Sequence, residues 1–467
     1  MRRTASRLPD AGPREKGDIE FLFEGRGLAA RDGDTVAAAL FANGVRVFGR
    51  SSKYHRPRGY RCGQGHCSAC AMRVDGLPGV RTCVTPVRAG MTVEREHAWP
   101  SPSVDVLRVA EMLSPLTPPG FFYRWFRRSP RLFGVFERGL ASIAGQGCLP
   151  DQEAIDRLAG ARCERRANVD VLVVGGGVAG LSAALAAAEA GAGVLLVEQD
   201  DRLGGRLANE PGGRPASELA ARALARHRIE VLTNAEAIGW YEEGVVAIDR
   251  RPDLLLVDPA SVVLATGGYD LGLPFAGWDL PGVMLATGAL RLLHRHAIKP
   301  GSRAVVLTAD DRGYDVAREL AAGGVGLACV ADRRPPEAIR QELRGEAAAI
   351  GASLVAGAQG ARAHGFDRLS GLSLRIGENG HRRTLRHDCD LVCISAGVRP
   401  ADDLAYQAMS RGSLLLSTAG TVDEGVAGGP WLAGLVAGAC DADLAIEQGT
   451  AAGSAAARQA RAAADPA

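Results

Sequence analysis

The chain has 467 residues, of which 46% are hydrophobic and 23% are charged, and its formal net charge is +2. This composition is typical of a soluble globular protein and excludes a disordered or fibrous chain. No block of like charge runs along the sequence, so nothing indicates a nucleic-acid-binding surface.

The sequence offers no targeting or membrane-spanning segment. Arg2 and Arg3 are not followed by the apolar run that a secretory or twin-arginine signal requires. The most apolar stretch, 171–197, is interrupted by glycines and by Glu189, which indicates strand, turn, helix and strand. We therefore expect a cytoplasmic protein without a transmembrane segment. Its ten cysteines are unevenly spaced and predict metal or redox chemistry rather than a disulfide scaffold.

In chain order, residues 1–17 are polar and predict a flexible tail. Residues 18–98 alternate apolar and polar positions around one helical stretch, which predicts short strands packed on a helix. Residues 99–168 mix proline, aromatic and arginine residues and predict a connecting helical segment. From 169 onward, strands alternate with alanine-rich helices, as in a parallel sheet covered on both faces.

Four cysteines follow the spacing C-x4-C-x2-C-x12-C: Cys62, Cys67, Cys70 and Cys83. The first three match the ligand loop of plant-type [2Fe–2S] domains, in which a separate element supplies the fourth thiolate. Tetrahedral zinc and free thiols are the alternatives. Zinc sites usually pair two short cysteine knuckles, whereas Cys83 stands alone, so the spacing favours the iron–sulfur cluster. His66 is expected to be a polar loop residue rather than a ligand.

The strand at 169–174 leads into a glycine turn, Gly175-x-Gly177-x-x-Gly180, a helix and a second strand that ends in Glu198. The first glycine makes the turn, the second lets a pyrophosphate approach the helix N-terminus, and the third allows close helix–strand packing. Glu198 stands where a carboxylate can accept ribose hydroxyls. We predict a dinucleotide site; a glycine turn without a ligand is the alternative.

Residues beyond Glu198 favour FAD as the dinucleotide. Gly205 and Arg206 continue the motif as in FAD-binding proteins, and the strand at 262–267 ends in Thr266 and Gly267.

Near the C-terminus, the stretch WLAGLVAGACDAD stands where such flavoproteins hold the ribityl chain with a Gly-Asp pair. Here the pair is Gly438-Ala439. The aspartate is therefore missing, and Asp441 is a candidate substitute.

A second strand, turn and helix lies near 304–324, but Thr308, Ala309, Asp310 and Asp311 replace the glycines of the turn. Two carboxylates would repel a pyrophosphate, whereas Asp332 after the next strand could meet a ribose. Two interpretations stay open: an empty structural domain, which the acidic turn favours, and a site for a nicotinamide or adenine nucleotide.

The segment at 51–61, ahead of the cysteine loop, is rich in basic side chains: Lys53, His55, Arg56, Arg58 and Arg61. It is either a solvated loop or a docking or phosphate-contact surface. Among the other cysteines, Cys329, Cys393 and Cys440 lie in apolar sequence and are expected in the core. No C-x2-C pair follows Glu198, which argues against a disulfide reductase.

The chain resembles the alpha-type subunit of heteromeric sarcosine oxidase and its relatives: hydrogen cyanide synthase, opine oxidases, and the proline and hydroxyproline dehydrogenase complexes. The resemblance rests on segments that match in order, SSKYHRPRG, PPGFFYRWF, GVAGLSAALAAAEAG, DLPGVMLATGAL, the 304–320 unit and VAGACDADLAIEQGTAAGSAAA. The alpha subunits of sarcosine oxidase are longer and lack the four cysteines. The chain therefore looks like a fusion of a small iron–sulfur subunit with an FAD subunit.

These patterns and the resemblance imply an α/β two-dinucleotide-binding flavoprotein with an N-terminal β-grasp, ferredoxin-like [2Fe–2S] domain. The expected boundaries are a flexible tail at 1–17, the ferredoxin-like domain at 18–98, a connecting helical segment at 99–168, an FAD-binding domain at 169–290 and 392–467, and an inserted second nucleotide-binding-like domain at 291–391.

The resemblance also implies an oxidoreductase that acts on CH–NH or CH–NH2 groups within a hetero-oligomer. A smaller FAD-dependent, amino-acid-oxidase-like partner subunit would oxidise the amine, and this chain would pass electrons through FAD and the cluster to a downstream acceptor. Some relatives carry an FMN at a subunit interface. No residue stands out as a general acid or base. The alternatives are a self-contained NAD(P)H-dependent flavin/iron–sulfur reductase and a non-redox scaffold.

Overall fold

The computed structural model describes residues 7–8, 18–51, 54–96, 105, 133–135, 137, 149–150, 152–209, 214–241, 243–378, 381–409 and 430–464. The predicted tail and most of the predicted connecting segment lie outside these residues. The chain forms two compact units, residues 1–155 with 270–397 and residues 156–269 with 398–467. No helix in the described ranges is both long enough and apolar enough to cross a membrane.

The strands, in chain order, are β1 (Asp18–Phe23), β2 (Arg26–Arg31), β3 (Gly49–Arg50), β4 (Pro57–Arg58), β5 (Ala71–Val74), β6 (Leu77–Arg81), β7 (Thr92–Glu94), β8 (Glu164–Val174), β9 (Val194–Val197), β10 (Ile229–Leu232), β11 (Glu236–Trp240), β12 (Val246–Arg250), β13 (Asp253–Leu264), β14 (Gly268–Asp270), β15 (Val283–Leu285), β16 (Arg303–Thr308), β17 (Gly326–Asp332), β18 (Ser353–Val355), β19 (Ala358–Gly365), β20 (Leu369–Glu378), β21 (His381–Asp388), β22 (Leu391–Ser395), β23 (Val398–Pro400) and β24 (Trp431–Leu432). The α-helices are α1 (Val36–Ala42), α2 (Gln152–Ala161), α3 (Val178–Glu189), α4 (Arg214–Leu224), α5 (Ala286–Leu290), α6 (Arg312–Ala322), α7 (Gln341–Ala349), α8 (Asp403–Met409) and α9 (Ala442–Ala464). Single turns of other helix types occupy Leu207–Asn209, Arg291–Arg295, Pro336–Ala338 and Gly434–Ala437.

The first unit contains a five-stranded mixed sheet in the order β2-β1-β7-β5-β6. β1 pairs antiparallel with β2 and parallel with β7. Helix α1 is apolar and buried, and the hydroxyl of Thr35 accepts the Ala38 N–H at 3.3 Å, which caps its first turn. This sheet and its helix confirm the predicted β-grasp fold.

The same unit contains a parallel sheet in the order β15-β22-β16-β17-β18 and an antiparallel meander, β19-β20-β21. One continuous hydrophobic core includes residues of the β-grasp sheet and of the parallel sheet. Phe21 and Phe48 from the β-grasp part belong to it, as do Val305 and Cys393 from the parallel sheet. The β-grasp part therefore shares its core with a segment that lies more than 200 residues further along the chain.

The second unit is built on a sheet in the order β10-β9-β8-β13-β12-β11, with β24 beside β13. Because successive strand residues face opposite sides, Val171 and Val173 of β8 enter one buried cluster while Leu172 and Val174 enter another. The sheet is therefore covered on both faces, as the apolar run predicts. The expectation of a parallel sheet is only partly correct, because β12 pairs antiparallel with both β11 and β13.

Helix α9 packs directly on helix α3 through two glycines. A Cβ at Gly449 would collide with the carbonyl oxygen of Ala179, and one at Gly453 with that of Ala183. The glycines stand one turn apart and let the two backbones touch. The last helix thus completes the unit that begins at residue 156.

Two of the three cysteines expected in the core lie there. Cys329 and Cys393 are buried, and burial raises the pKa of each to about 12. The prediction is wrong for Cys440, which is exposed. It precedes Asp441, whose carboxylate caps α9, and so belongs to a surface turn. The domain boundaries predicted from the sequence stay a prediction, because the compact units are defined by packing alone.

Candidate cofactor sites

The four predicted cluster ligands converge in the first unit. Cys62, Cys67 and Cys70 lie on the loop between β4 and β5, and Cys83 follows β6. Cys62 has side-chain hydrogen bonds with Cys67 and Cys83, and Cys83 has another with Cys70. These bonds lower the pKa of Cys62 and Cys70 and, together with burial, raise the pKa of Cys67 and Cys83.

Backbone and side-chain donors point at these sulfurs. The N–H of Gln64 lies 3.4 Å from Cys62 Sγ, and the N–H of Cys83 lies 3.4 Å from Cys70 Sγ. His66 hydrogen-bonds to Cys62 as well, as a neighbour of the ligand set. Donors of this kind stabilise negative charge on sulfur and tune an iron–sulfur centre. The residues present therefore fit a [2Fe–2S] cluster. Among the described residues, no three His, Cys, Asp or Glu side chains surround a single-ion position.

The cluster loop packs against the parallel sheet of the same unit. The N–H of Leu285 donates to the carbonyl of Arg61 at 3.1 Å. A Cβ on Gly288, in α5, would collide with that carbonyl and lie 3.0 Å from the backbone carbon of Cys62. The guanidinium of Arg61 lies 4.2 Å from the ring centroid of Trp278 and donates to its carbonyl. Sequence reasoning missed these contacts, because they join residues more than 200 positions apart.

The basic segment at 51–61 is only partly a solvated loop. His55 is buried, and its Nδ1 lies 2.9 Å from Asp105 Oδ2. Arg61 is buried as well. Arg56 lies 5.2 Å from the ring centroid of Tyr54. Lys53 falls outside the described residues, so the docking interpretation stays a prediction.

The glycine turn of the second unit has the form that a dinucleotide requires. Gly175 has φ +107°, and a Cβ there would collide with the carbonyl of Ala265. A Cβ at Gly180 would collide with the carbonyl of Gly175. By contrast, a Cβ at Gly177 would come no nearer than 4.0 Å to its neighbours, so space remains beside the α3 N-terminus. These residues fit a bound pyrophosphate.

Glu198 holds the same turn from the end of β9. Its Oε2 accepts the Gly176 N–H at 2.7 Å, and its Oε1 accepts the Asp200 N–H at 2.8 Å. The carboxylate is buried beside the glycine turn. Its predicted contact with a ribose stays a prediction.

Some of the other residues predicted to contact FAD lie beside the glycine turn. The N–H of Gly204 donates to the Gly176 carbonyl at 2.8 Å, and Gly204 forms an isolated parallel β-bridge with Gly177. The segment that contains Gly205 and Arg206 therefore lies against the glycine turn. Thr266 donates to the Ala401 carbonyl at 2.6 Å, and the Gly267 carbonyl accepts the Ala401 N–H at 3.0 Å. Thr266 and Gly267 follow β13, the strand beside β8.

Gly438 ends the turn Gly434–Ala437 with φ +84° and open space around it. Gly434 packs on Ala179 at the start of α3, which brings this C-terminal turn to the dinucleotide end of the sheet. Asp441, the candidate substitute for the missing aspartate, instead accepts the Leu444 N–H at 2.8 Å and caps α9.

Comparison with known families agrees with both sites. A model described as "2Fe-2S iron-sulfur cluster binding domain" matches residues 16–98, and one described as "Pyridine nucleotide-disulphide oxidoreductase" matches residues 169–426. Together with the fold, these matches define a two-dinucleotide-binding oxidoreductase flavoprotein with an iron–sulfur domain.

Individual relatives narrow the family. The chain is 32% identical over 388 residues to sarcosine oxidase subunit alpha of Rhizobium meliloti (strain 1021), a match that covers 76% of this chain and 38% of that relative. It is 38% identical over 90 residues to hydrogen cyanide synthase subunit HcnA of Pseudomonas aeruginosa, which covers 19% of this chain and 86% of that one. The chain belongs to the pyridine nucleotide-disulphide oxidoreductase family and, within it, to the group of sarcosine oxidase alpha, hydrogen cyanide synthase and opine oxidase subunits.

The crystal structure of L-proline dehydrogenase from P. horikoshii has the same fold, with a TM-score of 0.64, 20% identity, and coverage of 95% of this chain and 73% of that chain. The chain spans 38% to 45% of the length of the sarcosine oxidase alpha subunits that it matches. The predicted family and fold class are confirmed.

Proposed function

We propose that this chain is the electron-transfer subunit of a multi-subunit, FAD-dependent amine or amino-acid dehydrogenase or oxidase. A smaller FAD-dependent, amino-acid-oxidase-like subunit would oxidise the CH–NH or CH–NH2 group. This chain would carry the electrons through its own FAD and [2Fe–2S] cluster to a downstream acceptor. The observation that supports this role is one chain that joins a converging set of four cysteines to an open dinucleotide turn.

A flavin exchanges electrons in pairs or singly and a [2Fe–2S] centre singly, so the two together supply a change from two-electron to one-electron transfer. In this proposal Cys62, Cys67, Cys70 and Cys83 hold the cluster. The N–H groups at Gln64 and Cys83 stabilise its negative charge. The turn at Gly175–Gly180 and the N-terminus of α3 bind the pyrophosphate of FAD, and Glu198 binds its ribose.

Gly205, Arg206, Thr266, Gly267 and Gly438 complete the proposed FAD contacts. No general acid or base is assigned to this chain, because the amine would be oxidised on the partner subunit. An FMN at the subunit interface and a cytoplasmic location stay predictions of the sequence.

The test is to purify the chain alone and together with a co-expressed amino-acid-oxidase-like partner, then add D- and L-amino acids and secondary amines without oxygen. We expect bleaching of the cluster absorbance and a paramagnetic signal from reduced iron only when the partner is present. Full turnover by the isolated chain would refute the electron-transfer role.

Two single cysteine substitutions, one inside and one outside the proposed ligand set, give a test with a matched control. Cys67→Ser should abolish the iron signal and electron delivery to a one-electron acceptor, while the partner flavin is still reduced by substrate. Cys440→Ser removes an exposed thiol outside the ligand set and should behave like the wild type. Equal loss in both variants would remove the support for a cluster at this loop.

The alternative function is a self-contained NAD(P)H-dependent reductase. The strand, turn and helix at 303–322 have the element order of a second nucleotide-binding unit, although two of the three glycines are replaced. Its signature would be rapid anaerobic bleaching of the flavin by NADH in the isolated chain.

A further inference from the structure

The turn between β16 and α6 repeats the spacing of the glycine turn at residues 175–180. Thr308, Asp310 and Gly313 occupy the first, second and third glycine positions. The third glycine is kept for the usual reason, since a Cβ there would collide with the Thr308 hydroxyl. The fold therefore provides the place for a second dinucleotide, as the family's name implies, with the other two glycines replaced.

Asp310 stands at the position where the second glycine would admit a pyrophosphate. Its Oδ1 lies 3.3 Å from the Gly313 N–H in the first turn of α6. The same oxygen lies 3.1 Å from the Ser395 hydroxyl and 3.2 Å from the Thr308 hydroxyl. Thr308 and Ser395 are both buried. The end of this helix, which would attract a phosphate, thus already holds a carboxylate.

The carboxylate that stands at the ribose position of this second turn, Asp332, is also already hydrogen-bonded. Asp332 ends β17, much as Glu198 directly follows β9 in the other turn, and it is buried. Its Oδ2 accepts the Tyr314 hydroxyl at 3.0 Å and Arg334 Nη2 at 2.8 Å. Arg334 also reaches Asp311 at 2.7 Å, so one guanidinium joins the turn to the strand that follows α6.

We propose that Asp310 acts as a built-in anion that closes the second nucleotide site, so that the FAD-loaded protein binds no NAD(P)H there. A pyrophosphate at this turn would meet a carboxylate already hydrogen-bonded to the helix N-terminus and two buried hydroxyls. The residues of this site do not fit a dinucleotide. The inference stands apart from the proposed electron-transfer role, which concerns the cluster and the first turn.

The experiment is calorimetric titration of the FAD-loaded protein with ADP, NADH and NADPH. FAD stays bound so that the first turn cannot accept the probe. The wild type should show no saturable binding up to millimolar concentrations. Asp310→Gly restores glycine at the second position and should bind ADP and NADH at least tenfold more tightly. Asp310→Asn keeps the size and the acceptor oxygen but removes the charge, and should show a smaller gain.

Asp311→Asn is the matched control, because it removes a charge from the same turn and leaves the three contacts of Asp310 in place. Because it also releases Arg334 and Arg340, any gain should be smaller than that of Asp310→Asn, and an equal or larger gain would overturn the proposal. Thermal melting and flavin content check that each variant folds. If Asp310→Gly does not fold, Asp310→Asn tests the proposal. Saturable NADH or ADP binding by the wild type would overturn the proposal. So would a folded Asp310→Asn or a folded Asp310→Gly protein that binds these nucleotides no better than the wild type.

Discussion

The imidazole Nδ1 of His296 lies 3.2 Å from Oδ1 of Asp34, and both side chains are buried. Arg7 lies 2.5 Å from the other oxygen of Asp34. Burial lowers the pKa of His296 to about 4, although the bond to Asp34 opposes this shift. Burial acts to raise the pKa of Asp34, but hydrogen bonds from His296 and Arg7 outweigh it and lower that pKa to about 2.

The first prediction concerns acid stability. His296 is neutral in the fold, whereas an unfolded histidine binds a proton below about pH 6.5. Its contribution is therefore present above pH 6.5 and is lost as the pH falls towards 4. Between pH 7.5 and pH 5 the loss should be about 2 kcal/mol in the free energy of unfolding. Urea unfolding of the wild type and of His296→Gln, which cannot titrate but still donates to Asp34, measures it. Identical pH dependence in the two proteins would contradict the assignment.

The second prediction concerns Gly288, which touches the backbone of the cluster loop at Arg61 and Cys62. Gly288→Ala inserts a methyl group where no space exists, at a cost of about 1–3 kcal/mol, and should displace the first cluster ligand. Iron and sulfide content should fall while flavin content is retained. Gly345→Ala, in helix α7 with open space around it, is the control and should retain both. Normal iron content in Gly288→Ala would show that the contact is dispensable.

The third prediction concerns the packing of α9 on α3. Gly453→Ala drives a methyl group into the Ala183 carbonyl and should cost about 1–3 kcal/mol, measured as a lower melting temperature. Because α3 carries the glycine turn, FAD should also dissociate more readily. Thr450→Ala changes an exposed residue of the same helix and should leave both properties near the wild-type values. A stabilised Gly453→Ala would mean that the helices separate without penalty.

The fourth prediction separates two roles for Asp441. If it only caps α9, Asp441→Ala should lower stability by about 0.5–2 kcal/mol, and Asp441→Ser, which can still cap, should restore it. FAD content and the visible flavin spectrum should be unchanged in both variants. Loss of flavin from the serine variant, with normal stability, would instead identify Asp441 as the missing ribityl contact.

The fifth prediction concerns Arg61, whose charge lies beside Cys62 and Cys67 and whose guanidinium stacks on Trp278. A buried positive charge favours the more negative, reduced state of a cluster. Arg61→Met should therefore lower the midpoint potential by tens of millivolts, whereas Arg61→Lys should lower it less. Redox titration followed by the paramagnetic signal measures the shift. An unchanged potential in Arg61→Met would confine the residue to packing.

Local motifs made the two cofactor sites predictable. The cysteine spacing and the turn at residues 175–180 are short patterns whose geometry follows from neighbouring residues. The contacts of Gly288 and His296 with the β-grasp part were not predictable, because pairings across more than 200 residues leave no periodic pattern in one sequence. The second turn lies between these cases. Its two carboxylates indicated repulsion, but the sequence could not tell that Asp310, rather than Asp311, faces the helix.

The shared core of the first unit has a consequence for biosynthesis. Phe21 and Phe48 emerge from the ribosome long before Val305 and Cys393, which complete the same core. Since such distant partners delay folding, we expect the β-grasp part to reach its final packing only after residues 270–397 have been synthesised. We therefore expect a polypeptide truncated before residue 397 to leave apolar residues of the β-grasp part exposed and to retain less iron than the full chain.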